Sequence, residues 1–337
     1  MPLPPPDSQR MGDDARWLAA AASLAARARP LSRPNPAVAA IVVSQGRVIA
    51  RGWTAPGGRP HAEAVALSAA GDAARGATLY VTLEPCAHRS TRGPACADLI
   101  AGSGLARVVI GCRDPDPRTA GSGMERIRAA GIAVELMPSP EAEASLAGYL
   151  SRCRLGRPEV TLKLALSQDG YLARRPGEDR WLTGGPARAH CHALRAKSDA
   201  ILVGAGTLRA DAPRLDVRLP GLEGRSPERW VLTHGTAPEG WRKLAAPEDI
   251  GAMDGVQYLF LEGGAETARA FVAARLVDRL VIYRAPFIVG GGEDVPCLPE
   301  FASQASEQAL TGWHFADSRP LGNDLLEVYT PLSCSPE

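Results

Sequence analysis

A histidine, a glutamate and two cysteines constrain this chain more than anything else in it. His61-Ala62-Glu63 is followed by Pro85-Cys86 and then by Cys96. One imidazole and two thiolates can hold a zinc ion and leave its fourth position open, the pattern of catalytic rather than structural zinc. Three residues from separate stretches must then meet at one point. The local pattern supplies the means. His61 to Ala70 reads as a helix that opens with the histidine. Ala77 to Leu83 reads as a strand running into Glu84-Pro85-Cys86, and Pro94 to Ala101 as a helix with Cys96 in its first turn. Helix starts favour thiolate and developing anion. Glu63 has no task in a closed four-ligand site, but it can carry a proton between a metal-bound water and a leaving amine.

The surrounding pattern is α/β. Asp13 and Asp14 mark a helix start, and an Ala/Leu-rich helix follows to about Arg29, ended by Pro30, Pro34 and Pro36. Ala37 to Val43 and Arg47 to Gly52 form a hairpin across Ser44-Gln45-Gly46. A strand at Arg107 to Gly111, a helix near Met124 to Ala130 and a strand at Ile132 to Leu136 complete the first half. Strands alternating with helices predict a three-layer sandwich. The hinge falls near Leu155-Gly156-Arg157-Pro158. The expected divisions are a disordered tail over 1–12, a first domain over 13–155 and a second over 156–337. In the second, strands are expected at Val160 to Ser167, Tyr171 to Ala173 (after an Asp169-Gly170 turn), Asp199 to Val203, Arg229 to Thr233 and Tyr258 to Leu261. Glu262-Gly263-Gly264 opens a helix through Ala274, while Gly221 to Pro227 and Pro238 to Gly255 read as surface loops.

Composition narrows the class. The 337 residues include 38 basic and 37 acidic ones, which argues against a broad nucleic-acid surface. No apolar run reaches the length of a membrane span. The start lacks the regions of a signal peptide. Seven cysteines without regular spacing do not look like a disulfide framework, so a reducing cytoplasm is the expected setting.

The second half offers weaker signals. It has no Gly-x-Gly-x-x-Gly dinucleotide fingerprint. Gly204 to Thr207 and Gly263-Gly264 each follow a strand, so their amides can cradle phosphates or simply turn the chain. Lys163 shares a strand face with Thr161 and Ala165, either lining a site or reaching solvent. Glu262 ends a buried strand and is a candidate substrate contact. Arg195 and Arg218 are candidate phosphate clamps, or solvated surface arginines. His190 and His192, two apart on a helix, face different directions and do not suggest a second metal site.

Taken together, Asn35-Pro36, His61-Ala-Glu63, Thr82-Leu-Glu-Pro-Cys86 with His88, Cys96 and Asp114-Pro-Asp-Pro117 resemble the bifunctional riboflavin-biosynthesis deaminase/reductase family. Lys163 to Gly170, Trp181-Leu-Thr183, Leu194-Arg195-Ala, Gly204 to Thr207, Asp211 to Arg218 and Glu262-Gly-Gly264 resemble its reductase half. The resemblance covers about residues 12 to 332. It implies a cytidine-deaminase-like three-layer α/β/α domain followed by a dihydrofolate-reductase-like α/β domain. It implies zinc on His61, Cys86 and Cys96 with Glu63 as proton carrier. It implies deamination of a diaminopyrimidinone ribosyl phosphate produced from GTP, then NADPH reduction of the ribosyl chain to ribityl. By carry-over, Asn35, His88 and Asp114 contact the first substrate. Lys163 acts in reduction, and Asp179, Arg195, Leu215, Arg218 and Glu262 bind the second. Ala165, Trp181, Thr207, Asp211, Gly263 and Gly264 then face NADPH. Expected partners are small pyrimidine ribosyl phosphates and a further copy of the chain, with no nucleic acid and no membrane. Three departures stand out. Nine residues separate Cys86 from Cys96, one more than the family spacing; Ala39 stands where glycine is expected; and Asp116 replaces the usual asparagine. None removes a metal ligand. Two alternatives stay open: a deaminase whose second domain does not reduce, and a nucleic-acid-editing zinc deaminase.

Overall fold

The computed structural model describes residues 7–88, 92–173, 181–291, 295–302 and 310–332. The chain forms two compact units, Met1–Gly156 and Arg157–Glu337.

In the first unit a five-stranded sheet runs in the order β2-β1-β3-β4-β5. The strands are β1 (Ala39–Ser44), β2 (Arg47–Trp53), β3 (Thr78–Val81), β4 (Arg107–Ile110) and β5 (Ala133–Leu136). β1 is antiparallel to β2 and β3, while β3, β4 and β5 are parallel. The helices are α1 (Asp7–Ala25), α2 (Ala62–Ala70), α3 (Cys96–Ala101), α4 (Ser122–Ala129), α5 (Pro140–Ser145) and α6 (Ala147–Leu155). Strand residues alternate between two cores, as a pleated sheet covered on both sides requires. Ala40, Val42, Leu79, Val81, Val108 and Ile110 pack with Ala66, Ile100 and Ile127 of α2, α3 and α4. Ile41, Val43, Tyr80 and Val109 pack against Leu18 and Ala21 of α1. The result is the expected three layers.

The first helix starts earlier than its sequence suggests. α1 begins at Asp7, inside the stretch expected to be a tail. The Asp13-Asp14 pair that suggested the start lies within the helix. Asp14 is buried there, not capping anything: its carboxylate takes both Arg107 Nη atoms at 2.8 and 2.7 Å and the Tyr80 hydroxyl at 2.7 Å.

The second unit holds an eight-stranded sheet in the order β12-β13-β11-β6-β10-β7-β8-β9. Its strands are β6 (Glu159–Leu166), β7 (Ala200–Gly204), β8 (Glu228–Leu232), β9 (Arg242–Leu244), β10 (Tyr258–Leu261), β11 (Arg279–Arg284), β12 (Trp313–Leu321) and β13 (Asp324–Pro331). All from β6 to β11 are parallel, and β13 and β12 close one edge as an antiparallel hairpin. The helices are α7 (Gly185–Arg195), α8 (Ala205–Asp211) and α9 (Ala265–Ala273). Central strands are hydrophobic on both faces, as in parallel sheets generally. Leu162, Leu164, Leu259 and Leu261 face one core; Ile201, Val203, Phe260 and Val281 face the other. The return strand expected at Tyr171 to Ala173 reduces to one bridge, Tyr171 to Cys297. β9 lies within a stretch expected to be loop.

Candidate active sites

In the first unit the sequence motif closes into a point. His61 is the N-cap of α2 and Cys96 the first residue of α3, while Cys86 follows β3 in the loop between them. His61 Nδ1 lies 3.2 Å from Cys96 Sγ and 3.6 Å from Cys86 Sγ. These three atoms all fall within 4.8 Å of one another, and no other such group occurs among the described residues. Tetrahedral zinc with bonds of about 2.0 Å to nitrogen and 2.3 Å to sulfur sets N and S about 3.5 Å apart, so the donors fit the ion. Cys86 is held well below the usual thiol value, chiefly by the Cys96 hydrogen bond. A low value favours the thiolate a metal takes.

Glu63, on the first turn of α2, is 3% exposed. Burial pushes its carboxyl above the ordinary value, against a pull from His61. A carboxyl raised this way suits taking up and releasing a proton. A cavity of about 260 Å³ opens over these groups and is lined by Asn35, His61, Glu63, Cys86, His88, Asp114 and Asp116. His88 Nδ1 is buried there, and among the described residues it has no hydrogen-bond partner. Asp114 is buried, and its Oδ1 accepts from the Tyr149 hydroxyl at 2.7 Å and the Asp116 amide at 3.0 Å. Asp116, the residue that departs from the family pattern, is paired by Arg118 through Nε at 3.0 Å to both carboxylate oxygens.

Sequence reasoning missed two organisers of this cavity. Glu84, 2% exposed, accepts from the amides of Gly121 at 2.8 Å and of Met124 and Asp114 at 3.4 Å. It thereby ties the turn before Cys86 to the loop that carries Asp114. Its place inside Leu-Glu-Pro-Cys was the available signal. Tyr149 comes from α6, far along the chain, and left no signal.

In the second unit two of the expected residues, Arg195 and Lys163, meet Glu262, which directly follows β10. Arg195 on α7 meets it with Nε to Oε1 at 2.6 Å and Nη2 to Oε2 at 2.9 Å. Lys163 Nζ, on β6, lies 4.0 Å from Oε2, and the Cys191 thiol reaches Oε1 at 3.6 Å. Burial, the largest influence on Glu262, would raise its pKa, but Arg195 and Lys163 outweigh it and hold the group below the ordinary value. Arg195 also donates from Nη1 to the Asp216 carbonyl at 3.0 Å. Arg195, expected as a phosphate clamp, is turned instead to protein groups: each of its three nitrogens has a protein partner, and it is 8% exposed. Arg218 is different. Its side chain is 55% exposed, with a loose 3.4 Å contact to Asp216.

Leu215 has a positive φ of 54°, costly for a side chain of its size. Its side chain is buried in the core beneath α7. Thr207 on α8 accepts from the Gly264 amide at 3.2 Å, which brings the starts of α8 and α9 together. Gly204 and Gly263 are there for packing, since a Cβ would lie 2.2 and 2.6 Å from Thr267 atoms. Ala165 lies two residues beyond Lys163 on β6, and Asp211 ends α8. Trp181 is 46% exposed with the Arg188 guanidinium 5.2 Å from its ring. Asp179 lies outside the described residues.

Comparison with known proteins agrees with both halves. Residues 11–112 match the cytidine and deoxycytidylate deaminase zinc-binding region. Residues 158–242 and 245–326 match the RibD C-terminal domain. The riboflavin biosynthesis protein RibD of Escherichia coli is 37% identical over 327 residues, covering 82% of this chain and 89% of that protein. The chain belongs to the RibD family. RibD of Haemophilus influenzae is 33% identical, over 94% of this chain and 97% of that protein. RibD from Acinetobacter baumannii superposes with a TM-score of 0.80 at 30% identity, covering 96% of this chain and 99% of that one. The diaminohydroxyphosphoribosylaminopyrimidine deaminase/5-amino-6-(5-phosphoribosylamino)uracil reductase of Thermotoga maritima gives 0.81 at 30% identity, over 95% and 99%. The chain is thus a bifunctional deaminase and reductase of riboflavin biosynthesis. Its first half is a zinc-binding deaminase domain and its second a RibD reductase domain. Among the described residues, no helix is long and apolar enough to cross a membrane.

Proposed function

We propose that the first unit deaminates 2,5-diamino-6-(5-phosphoribosylamino)pyrimidin-4(3H)-one. The second then reduces the ribosyl chain of 5-amino-6-(5-phosphoribosylamino)uracil to ribityl with NADPH. The observation that carries this reading is the meeting of His61 Nδ1, Cys86 Sγ and Cys96 Sγ beside buried Glu63 at a cavity. Zinc held by those three residues supplies an acidified water near neutral pH. Glu63 takes a proton from the attacking water and delivers it to the 2-amino nitrogen; the water oxygen bonds to the ring carbon that carried that nitrogen, the C–N bond breaks, and ammonia leaves. Asn35, His88 and Asp114 hold the pyrimidine, and the unpartnered His88 Nδ1 supports that role.

In reduction NADPH supplies the hydride. Lys163, with its Nζ 4.0 Å from Glu262 Oε2, supplies the matching proton. Glu262 orients the ribosyl substrate, and Arg195 keeps Glu262 ionised and fixed. Arg218 receives the phosphate, with the Leu215 turn beside it and Asp179 as a further substrate contact. Ala165, Trp181, Thr207, Asp211, Gly263 and Gly264 face the cofactor. The division of labour follows 13–155 and 156–337, in a cytoplasmic enzyme that assembles with its own copies. Its free cysteines suit a reducing compartment.

The test is incubation of the purified protein with the diaminopyrimidinone, with and without NADPH, and identification of products by mass. The uracil is expected without NADPH and the ribityl compound with it. Ammonia release with no NADPH consumption would leave the second unit a non-reducing domain. No ammonia release from zinc-loaded protein would sink the deaminase assignment.

A further inference from the structure

The two ring nitrogens of His61 face different partners. Nδ1 points at the cysteine sulfurs, and Nε2 lies 3.1 Å from Asn35 Nδ2. Asn35 is itself held. Its Nδ2 donates to the Gly58 carbonyl at 3.0 Å, and a Cβ on Gly58 would sit 2.6 Å from Asn35 Cγ. Gly58 also has a φ of +85°, so both space and backbone keep glycine there.

We propose that Asn35 is a positioning residue for the metal: its amide orients the His61 ring through Nε2 and so sets zinc affinity, a role separate from touching the pyrimidine. This rests on the zinc reading above. An imidazole that gives the Nδ1 lone pair to a metal carries its hydrogen on Nε2, and that hydrogen needs an acceptor. Asn35 is within reach, its amide 3.1 Å from Nε2. It supplies Oδ1 by a half-turn of its amide, whose two ends have nearly the same shape. Zinc loading thus exchanges the Gly58 contact for a bond from His61, and turns the amide end that faces the cavity. Partners of this kind fix the ring and its tautomer, and losing one lowers metal affinity about 10–100-fold.

The test measures zinc affinity by competition with a chromogenic chelator, on the full chain, for wild type and three variants. Asn35→Ala is expected to weaken zinc binding about 10–100-fold. Asn35→Asp, which keeps an acceptor toward Nε2, should hold zinc nearly as wild type does while its deaminase KM rises. Gly58→Ala removes no polar group but displaces the amide, and should weaken zinc binding too. A wild-type circular-dichroism spectrum and an unchanged urea midpoint for the first unit in each variant report an intact fold. Asn35→Ala binding zinc as tightly as wild type would make Asn35 a substrate contact alone and overturn the proposal. Equal weakening by Ala and Asp would overturn the acceptor role. A wild-type protein that binds no zinc would instead overturn the zinc reading itself.

Discussion

Arg195 closes on Glu262 with both oxygens engaged, at 2.6 and 2.9 Å, and each side chain is only 10% exposed. A pair this buried is a fixed part of the site. It takes an arginine that a sequence motif suggests for phosphate and spends it on a carboxylate instead. Glu262 is thereby held below the ordinary carboxyl value, with Lys163 Nζ 4.0 Å from its Oε2.

Removing the arginine should therefore cost stability. Arg195→Ala leaves the Glu262 charge buried without its partner, a loss of about 3–5 kcal/mol. Urea denaturation of the full chain should show the second unit unfolding earlier, with reductase activity lost and deaminase activity retained. A variant as stable as wild type would mean that the pair does little and that Arg195 is free for ligand after all.

Arg218 should behave in the opposite way. It is exposed, so Arg218→Ala should leave stability near wild type. A charge-assisted hydrogen bond to phosphate of about 1.5–3 kcal/mol implies a ten- to hundred-fold rise in KM for the ribosyl substrate. The KM for NADPH should stay put. Steady-state kinetics with each ligand varied in turn reads both, and a rise confined to NADPH would reverse the assignment.

These contrasts show what the sequence could and could not reveal. His61, Cys86 and Cys96 were legible because metal ligands need particular residue types at helix starts and strand ends, and local pattern marks both. The three layers were legible from alternating periods. Arg195 was not, because Arg195 and Glu262 are far apart in the chain and only the sheet brings α7 beside β10. Tyr149 on Asp114 escaped notice for the same reason. Asp14 misled because an acidic residue reads the same whether it starts a helix or, as here, pairs with Arg107 inside one.

Metal and proton transfer should separate by mutation. Cys86→Ser removes one of three donors and should lose both zinc and deamination. Glu63→Gln keeps the donors and should keep one zinc per chain while deamination falls about 10²–10⁴-fold. Both should still reduce the deaminated intermediate with NADPH. Zinc content by elemental analysis, ammonia release and NADPH oxidation are the three readouts. Active wild-type protein without zinc is the result that would count most heavily against this view.

Acid should weaken the second unit through His190. Its Nε2 accepts from Arg319 Nη2 at 3.1 Å, so the ring hydrogen sits on Nδ1, 2.8 Å from the Tyr283 hydroxyl. Burial, then Arg319, Lys197 and Arg279, hold its pKa below the ordinary 6.5. The unfolded chain therefore takes up the proton first, and stability falls as pH drops below about 6.5 until the folded value is passed. His192 is lowered in the same direction, again chiefly by burial. His190→Gln should therefore reduce the slope without abolishing it. Denaturation midpoints at several pH values between about 7 and 5 would show this, and an unchanged slope would rule His190 out.

The last prediction separates two neighbouring glycines. Gly263 has no room for a side chain, because a Cβ would lie 2.6 Å from Thr267 Cβ. Gly264 adopts φ −72° and ψ −177°, which any residue can take, and a Cβ there would meet only Thr207 Oγ1 at 3.3 Å. Neither backbone strain nor a core clash therefore demands glycine at 264. Close approach of a cofactor phosphate to the α9 amides would demand it. Gly264→Leu should fold with near-normal stability and raise the NADPH KM about tenfold, the worth of one good hydrogen bond to a charged group, while the ribosyl substrate KM holds. Gly263→Leu should instead destabilise the unit as a whole. If Gly264→Leu raised the substrate KM and spared NADPH, the turn would face the substrate and the cofactor would have to lie elsewhere along the strand ends.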